Sequence, residues 1–230
     1  MLSRLKFDLS QIINEKLTHI PNYIWESKTT TFCDLQMAGG QYIKEIVNKL
    51  REFGHSDENI KSRVFGYSEN EFYLAVIQGD SSLIGTFNVY RENINMKFDV
   101  IVGNPPYQDD NGASTSKAIW PEFVKKSFSL LKDGGYLGYI HPSSWRQLYG
   151  NTKDIQKILL SKQLLYLNLN DYKKGREVFG VQTDFDMYVL KNSPKNRFIT
   201  KINDCDGVDY DYCLDDVNVI PNSNVIKFYS

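Results

Sequence analysis

The chain has 230 residues, 41% hydrophobic and 13% aromatic, enough for one domain of generous size or one plus the start of another. Its 27 basic and 28 acidic residues leave a net charge of −1, which excludes a basic nucleic-acid-coating protein but not an enzyme with a local basic face. No apolar run approaches the roughly 18 residues of a membrane span, no secretory signal is legible, and Cys33, Cys205 and Cys213 form neither a CxxC pair nor a disulfide framework, so a reducing cytoplasm and no metal are expected.

In chain order, Leu9, Ile12, Ile13, Leu17 and Ile20 recur at helical spacing and stop at Pro21, which predicts a first helix. "TTTFCDLQ" predicts a strand, "MAGG" a turn, and "QYIKEIVNKLREFG" an amphipathic helix with Gly54 as its C-cap. "SRVFGY" and "NEFYLAVIQG" repeat the strand–helix unit, and "LIGTFNVY" and "FDVIVG" are two further strands. Beyond the polar loop "QDDNGASTSKA" come a helix over "IWPEFVKKSFSLLK", a "DGG" turn, a strand over "YLGYIHP" and a helix over "TKDIQKILLS". Strands over "LLYLNLND" and "FDMYVLKN" follow, and a basic stretch including Lys173, Lys174 and Arg176 gives way to an acidic one from Asp204 to Asp216. Strands alternating with helices predict an α/β fold with a mainly parallel sheet. In such sheets ligands bind at the carboxyl ends of strands, where "DLQMAGG", "YSEN" and "NPPY" all fall.

Each tip admits a plain reading beside a chemical one. The glycine pair Gly39–Gly40 lets backbone approach a ligand with helix N–H groups facing it, and Asp34 meets a cationic or amino group, yet such a turn also serves as a mere connection. Glu69, with Ser68 beside it, stands where this architecture holds ribose hydroxyls, or simply caps a helix. The third tip is more informative. Proline ends the strand at Gly103 or Asn104 and pushes the preceding residue into extended geometry. Two acceptors, the Asn104 side-chain oxygen and the Pro105 carbonyl, are then locked outward by Pro106, next to the flat ring of Tyr107. An amine conjugated to a ring is a poor nucleophile, and two acceptors on its hydrogens free its lone pair while an aromatic face holds the ring in line. His141 at a strand end supports its loop rather than acting as a base, Trp120 and Trp145 read as packing or partner surface, and Cys33 as core.

On these residues the sequence resembles the S-adenosylmethionine-dependent amino-methyltransferases, most closely the adenine-N6 DNA methyltransferases of restriction-modification systems. "NPPY" is similar to their catalytic motif, which implies that Asn104 and Pro105 accept the amine hydrogens and Tyr107 stacks on a flipped base. "DLQMAGGQY" aligns without gaps to the motif written DPACGSGGF: Asp34, Gly40 and Tyr42 match, while Ala38 and Gln41 replace glycines. The resemblance implies cofactor contacts from Asp34, Ala38, Gly39, Gly40, Tyr42 and Asn104, a ribose contact from Glu69, and Thr86 where the family often has Asp. "EVFGVQTDFDMYVLKN" resembles the motif in which Phe179 sandwiches the target base opposite Tyr107, and Lys173, Lys174 and Arg176 would hold neighbouring phosphates. The motif order is that of the gamma class. It implies a Rossmann-like, mainly parallel sheet of the seven-stranded methyltransferase type with helices on both faces. Residues 1–200 would form the catalytic domain and 201–230 an acidic tail or the start of a target-recognition domain that a partner or another segment supplies. Two alternatives stay open: an NPPY-type methyltransferase of RNA or release-factor glutamine, and an inactive methyltransferase-like binding domain.

Overall fold

The structure, a computed structural model, describes residues 9–37, 39–68, 70–91, 94–108, 118–146, 152–215, 217 and 220. In helix α1 (Leu9–Thr18), Ile12, Ile13, Lys16 and Leu17 share the buried face. It packs on α3 (Gln41–Glu52) through Ile43, Ile46, Val47 and Leu50, and Gly54 beyond α3 takes φ 80°, the left-handed turn expected of a C-capping glycine. Strands β1 (Phe32–Asp34), β2 (Val64–Tyr67), β4 (Phe98–Gly103), β5 (Leu131–Pro142) and β6 (Lys162–Asn170) lie where apolar runs predict them. Helix α5 (Glu71–Gln78) follows β2, while α6 (Trp120–Leu130) and α7 (Lys153–Leu160) flank β5.

These strands join β3 (Asn88–Tyr90), β7 (Phe185–Pro194), β8 (Ile199–Asn203) and β9 (Asp209–Cys213) in one sheet of order β3-β2-β1-β4-β5-β7-β6-β8-β9. All neighbours are parallel except β7, which runs against both β5 and β6, and β9, which runs against β8. Side chains alternate between two cores. Phe32, Val64, Val100, Val102, Tyr136 and Ile140 face α1, α3 and α5, whereas Cys33, Ile101, Leu137 and Tyr139 face α6 and α7. The fold is therefore the predicted α/β class, with helices on both faces of a mainly parallel sheet. The sheet has nine strands rather than seven.

Several local expectations are corrected. "LIGTFNVY" is a strand only over Asn88–Tyr90, because Gly85 at φ 74° and the Thr86-to-Leu83 hydrogen bonds close a turn first. "DGG" falls inside β5, where Leu131 pairs with Phe98 and Tyr136 with Val100, so the intervening residues bulge out around Gly134 at φ 73°. Short helices α2 (Asn22–Glu26) and α4 (Asp57–Lys61) and a 3-10 turn over Ser143–Arg146 add to the predicted set. So does α8 (Tyr172–Phe179), which carries the basic cluster and is capped by Asp171 accepting the Lys173 and Lys174 N–H groups at 3.0 Å. Across residue 200 and beyond it, β8 and β9 extend the same sheet past β6. Among the described residues no helix is long and apolar enough to cross a membrane.

Candidate active site

Strand order reverses between β1 and β4, so the crevice at their carboxyl ends is where this architecture places a ligand. Asp34 pairs in register with Gly66 of β2 and Val102 of β4, which brings the first and third tips side by side. A Cβ on Gly103 would stand 3.4 Å from Asp34 Oδ1 and 3.1 Å from the Tyr139 ring, so the bare glycine lets the acid lie against the strand that ends in Asn104.

Asp34 is buried, and its Oδ1 accepts the Gln36 N–H at 3.0 Å. Burial pushes its acid up to about 7, against the opposing pull of the Gln36 N–H and of Lys16. Lys16 comes from α1, fully buried, its Nζ donating to Tyr42 Oη at 2.6 Å and to the Gly138 carbonyl at 3.0 Å. Burial lowers that ammonium's pKa well below the usual lysine range, while Asp34 raises it. The Tyr42 phenol is pushed up by burial and by Asp34. Gly39 and Gly40 adopt φ 72° and 75°, and a Cβ on Gly40 would meet Ile77 Cγ1 at 2.8 Å, so the turn into α3 requires glycine there. Ala38 and Glu69 lie outside the described residues. Ser68 is buried, but the N-cap of α5 is Asn70, whose Oδ1 accepts from Phe72 and Tyr73. Thr86 is buried before β3, its hydroxyl donated to the Leu83 carbonyl. A cavity of about 380 Å³ opens among Gln36, Tyr67, Ser68, Asn70, Phe123 and Lys126, at the tips of β1 and β2.

At the third tip Pro105 is buried, while Asn104, Pro106 and Tyr107 are half-buried. Asn104 Oδ1 and Tyr107 Oη are both buried atoms without a hydrogen-bond partner. For a side chain on a strand tip, an unmet buried acceptor is costly, and it leaves Asn104 Oδ1 free to accept from a ligand's donor. Burial and the Asp186 carboxylate push the Tyr107 phenol up, so it stays neutral. Phe179, at the end of α8, meets Tyr107 edge to face with centroids 6.2 Å apart, and Phe179 in turn packs on Phe185. A cavity of about 660 Å³ lies between this tip and the loop before β7, lined by Pro106, Tyr107, Trp120, Pro142, Ser144 and Thr183. The expected pair Tyr107 and Phe179 is thus brought together. Of the basic cluster, Lys173 and Arg176 are exposed on α8, while Lys174 reaches Glu177 at 3.3 Å.

Behind the cavity lies a group that sequence reasoning missed. Asp186 Oδ2 accepts the Trp145 indole N–H and pairs with Arg146 Nε, both at 2.8 Å. Burial pushes this acid up to about 6 despite Arg146. His141 stacks on Trp120 at 4.2 Å and its Nε2 lies 3.2 Å from Tyr188 Oη. Burial depresses it to about 4, so it is neutral at working pH and serves packing, not proton abstraction. Lys16 was also missed. It falls on the apolar stripe of its helix, four residues after Ile12 and four before Ile20, and that position was its only signal.

Residues 22–179 match the family described as Eco57I restriction-modification methylase. The chain is 35% identical over 105 residues to an uncharacterized adenine-specific methylase of Mycoplasma pneumoniae, a stretch covering 43% of this chain and 21% of that protein. Two solved structures share the fold: the type I restriction enzyme EcoKI M protein, with a TM-score of 0.62 at 13% identity over 88% of this chain and 49% of that one, and the type IIG restriction endonuclease BpuSI, with 0.62 at 13% over 86% and 26%. The chain thus spans about a fifth of the Mycoplasma relative, half of the EcoKI protein and a quarter of BpuSI.

Proposed function

Because the chain belongs to the Eco57I restriction-modification methylase family, we propose that it transfers a methyl group to N6 of an adenine flipped out of duplex DNA. The observation that carries this reading is the unpartnered, buried Asn104 Oδ1 at the end of β4, one residue from the glycine that lies against Asp34. Asn104 Oδ1 and the Pro105 carbonyl accept the two amine hydrogens. That favours a tetrahedral nitrogen and releases its lone pair for attack. Tyr107 stacks on the adenine face, and Phe179 closes the other side after its ring turns from the edge-to-face arrangement.

S-adenosylmethionine, when bound, supplies the activated methyl group. Several features fit it: the buried acid Asp34 for its positive charge, the left-handed Gly39–Gly40 turn for backbone approach, and the cavity at Gln36, Tyr67 and Ser68 for the nucleoside. We assign ribose recognition to Glu69, phosphate contacts to Lys173 and Arg176, and sequence choice to a separate recognition module or subunit. Phosphate contacts position a duplex without reading its bases. A cytoplasmic setting suits the three cysteines, all free thiols.

The test is incubation with methyl-labelled S-adenosylmethionine and, in parallel, duplex DNA, structured RNA and a release factor, followed by mass spectrometry of the digests. N6-methyladenine in DNA, lost with Asn104→Ala, is the expected result. Label confined to RNA or to glutamine moves the substrate, and cofactor binding without any transfer favours a binding domain.

A further inference from the structure

A further cavity opens at the carboxyl ends of β6 and β8, between α1 and the first turn of α8, and shares no lining residue with the two described above. Its volume of about 320 Å³ suits a small ligand. The floor is apolar: Ile12 of α1 with Phe185 and Met187 of β7. One wall is a ladder of buried amides. Asn168 Nδ2 donates to Tyr166 Oη at 3.0 Å and to Asn203 Oδ1 at 3.2 Å, and Asn168 Oδ1 accepts from Asn170 Nδ2. Asn170 Nδ2 donates as well to the Asn168 carbonyl at 3.3 Å. Held between two acceptors, that nitrogen cannot change places with its oxygen, so Oδ1 is turned away from the ladder. Asn170 is only 8% exposed and lines the cavity, and its Oδ1 has no hydrogen-bond partner among the described residues. It is free to accept from a donor that enters the cavity.

The other lining groups decide the charge of that donor. Glu15 of α1, Asp171 before α8 and Asp204 after β8 all line the cavity, each fixed through one oxygen. Glu15 Oε1 accepts from Tyr166 Oη at 2.6 Å, Asp171 Oδ1 caps α8, and Asp204 Oδ1 accepts the Asp206 and Val208 N–H groups at 3.0 Å. Lys174 is the one cation among the described lining residues, and it also donates to Glu177 at 3.3 Å. Three carboxylates against one ammonium repel a phosphate and attract a cation, although Lys173 and Arg176 stand on the same helix. A metal ion does not fit. Among the described residues no three acidic or other metal-ligating side chains converge as one requires, and an apolar floor gives a hydrated ion nothing. The methylenes of an alkylammonium, in contrast, bury against such a floor. We propose that this cavity binds an aliphatic amine, whose ammonium donates to Asn170 Oδ1 and faces the carboxylates while its methylene chain lies on Ile12, Phe185 and Met187. The site is independent of the methyl-transfer reading.

The test measures Kd by calorimetry for putrescine, for Nα-acetyl-lysine methylamide and for the uncharged isostere butane-1,4-diol. Putrescine stands for a free polyamine and the lysine derivative for a side chain offered by another protein, and the tighter binder names the source. The proteins are the wild type, Asn170→Leu, Glu15→Gln and Asp211→Asn, an exposed acid of β9 outside the cavity. Asn170→Ser replaces Asn170→Leu should the latter fold poorly. At least one amine is expected to bind the wild type, with the diol weaker by about tenfold or more. Loss of the bond to Asn170 is expected to weaken the amine ~10- to 150-fold. Glu15→Gln, at an exposed position, is expected to weaken it ~2- to 5-fold, and Asp211→Asn by less than about 1.5-fold. Absence of binding by both amines overturns the proposal, as does a diol that binds equally well. So does amine binding that survives the Asn170 substitution or falls as much with Asp211→Asn, since that is attraction to an acidic surface alone.

Discussion

The rings of Tyr107 and Phe179 meet edge to face, 6.2 Å between centroids and with planes inclined at 76°. They join the tip of β4 to the end of α8 across residues far apart in the chain. Under the proposed reading a base stacked on Tyr107 would replace this contact, which makes the ring rather than the phenol hydroxyl the group to test. Tyr107→Phe is expected to keep methyl transfer within a few fold, whereas Tyr107→Ala and Phe179→Ala each lose ~1–3 kcal/mol of stacking, a roughly 5- to 150-fold fall in kcat/KM for DNA. Steady-state kinetics on all three settle it, and a dead Tyr107→Phe enzyme would assign chemistry to the hydroxyl instead.

Asn104 Oδ1 is buried without a hydrogen-bond partner, and under the proposed reading its truncation removes an interaction made chiefly as the amine nitrogen becomes tetrahedral. Asn104→Ala is expected to lower kcat by ~10²–10³, the cost of deleting one preorganised partner, while Kd for the cofactor stays within a few fold. Single-turnover rates set beside calorimetric Kd values make the comparison. Equal losses in both would place Asn104 in cofactor binding alone.

Gly175 sits inside α8, and a Cβ there would fall 2.0 Å from the Thr183 carbonyl oxygen in the loop before β7. Backbone on both sides leaves no side chain to yield. Gly175→Ala therefore moves α8 off that loop, with ~1–3 kcal/mol of destabilisation and a drop in Tm of about 3–10 °C. Because Thr183 lines the cavity beside Tyr107, KM for DNA is expected to rise as well. A calorimetric scan with wild-type Tm would show that the loop adjusts freely.

Asp34 has its acid raised from 3.8 to about 7 in the folded chain. A raised acid costs nothing below its unfolded value; the cost grows as pH climbs from about 4 to 7 and is complete above that. Asp34→Asn is thus expected to be more heat-stable than the wild type at pH 8, with the gain vanishing near pH 4. Thermal melts across this range check it, and a variant less stable at pH 8 would mean that Asp34 is net stabilising.

The parallel core and the NPPY tip were legible in the sequence because both depend on local patterns. An apolar run halted by proline has one reading, and strand–helix alternation needs no long-range knowledge. Helix α8 was not legible, since Lys173, Lys174, Gly175 and Arg176 interrupt any apolar face and only Val178 is a large side chain buried in the helix. Its one local signal is the Asp171 cap. In β9 Asp209 and Asp211 give the look of an acidic tail, although acids alternating with Tyr210 and Tyr212 have the period of an edge strand. The partners of Lys16 and Asp186 are beyond reach for a different reason: a charge buried against distant groups is defined by them, and sequence order shows at most that Lys16 sits on an apolar stripe.

β7 is inserted between β5 and β6, two strands that precede it in the chain. Its first residues pair with Pro142 and Asn170, which sets the roof of the cavity opposite Tyr107. During synthesis β1, β2 and β4 emerge early and can associate, but β5 and β6 gain their shared neighbour only after α8 and β7 have left the ribosome. The half that carries Asp34 is therefore built from strands that all leave the ribosome before β5. The half that carries the cavity beside Tyr107 is complete only when β7 lies between β5 and β6, a pairing of segments distant in sequence, which is the slow kind of contact to form.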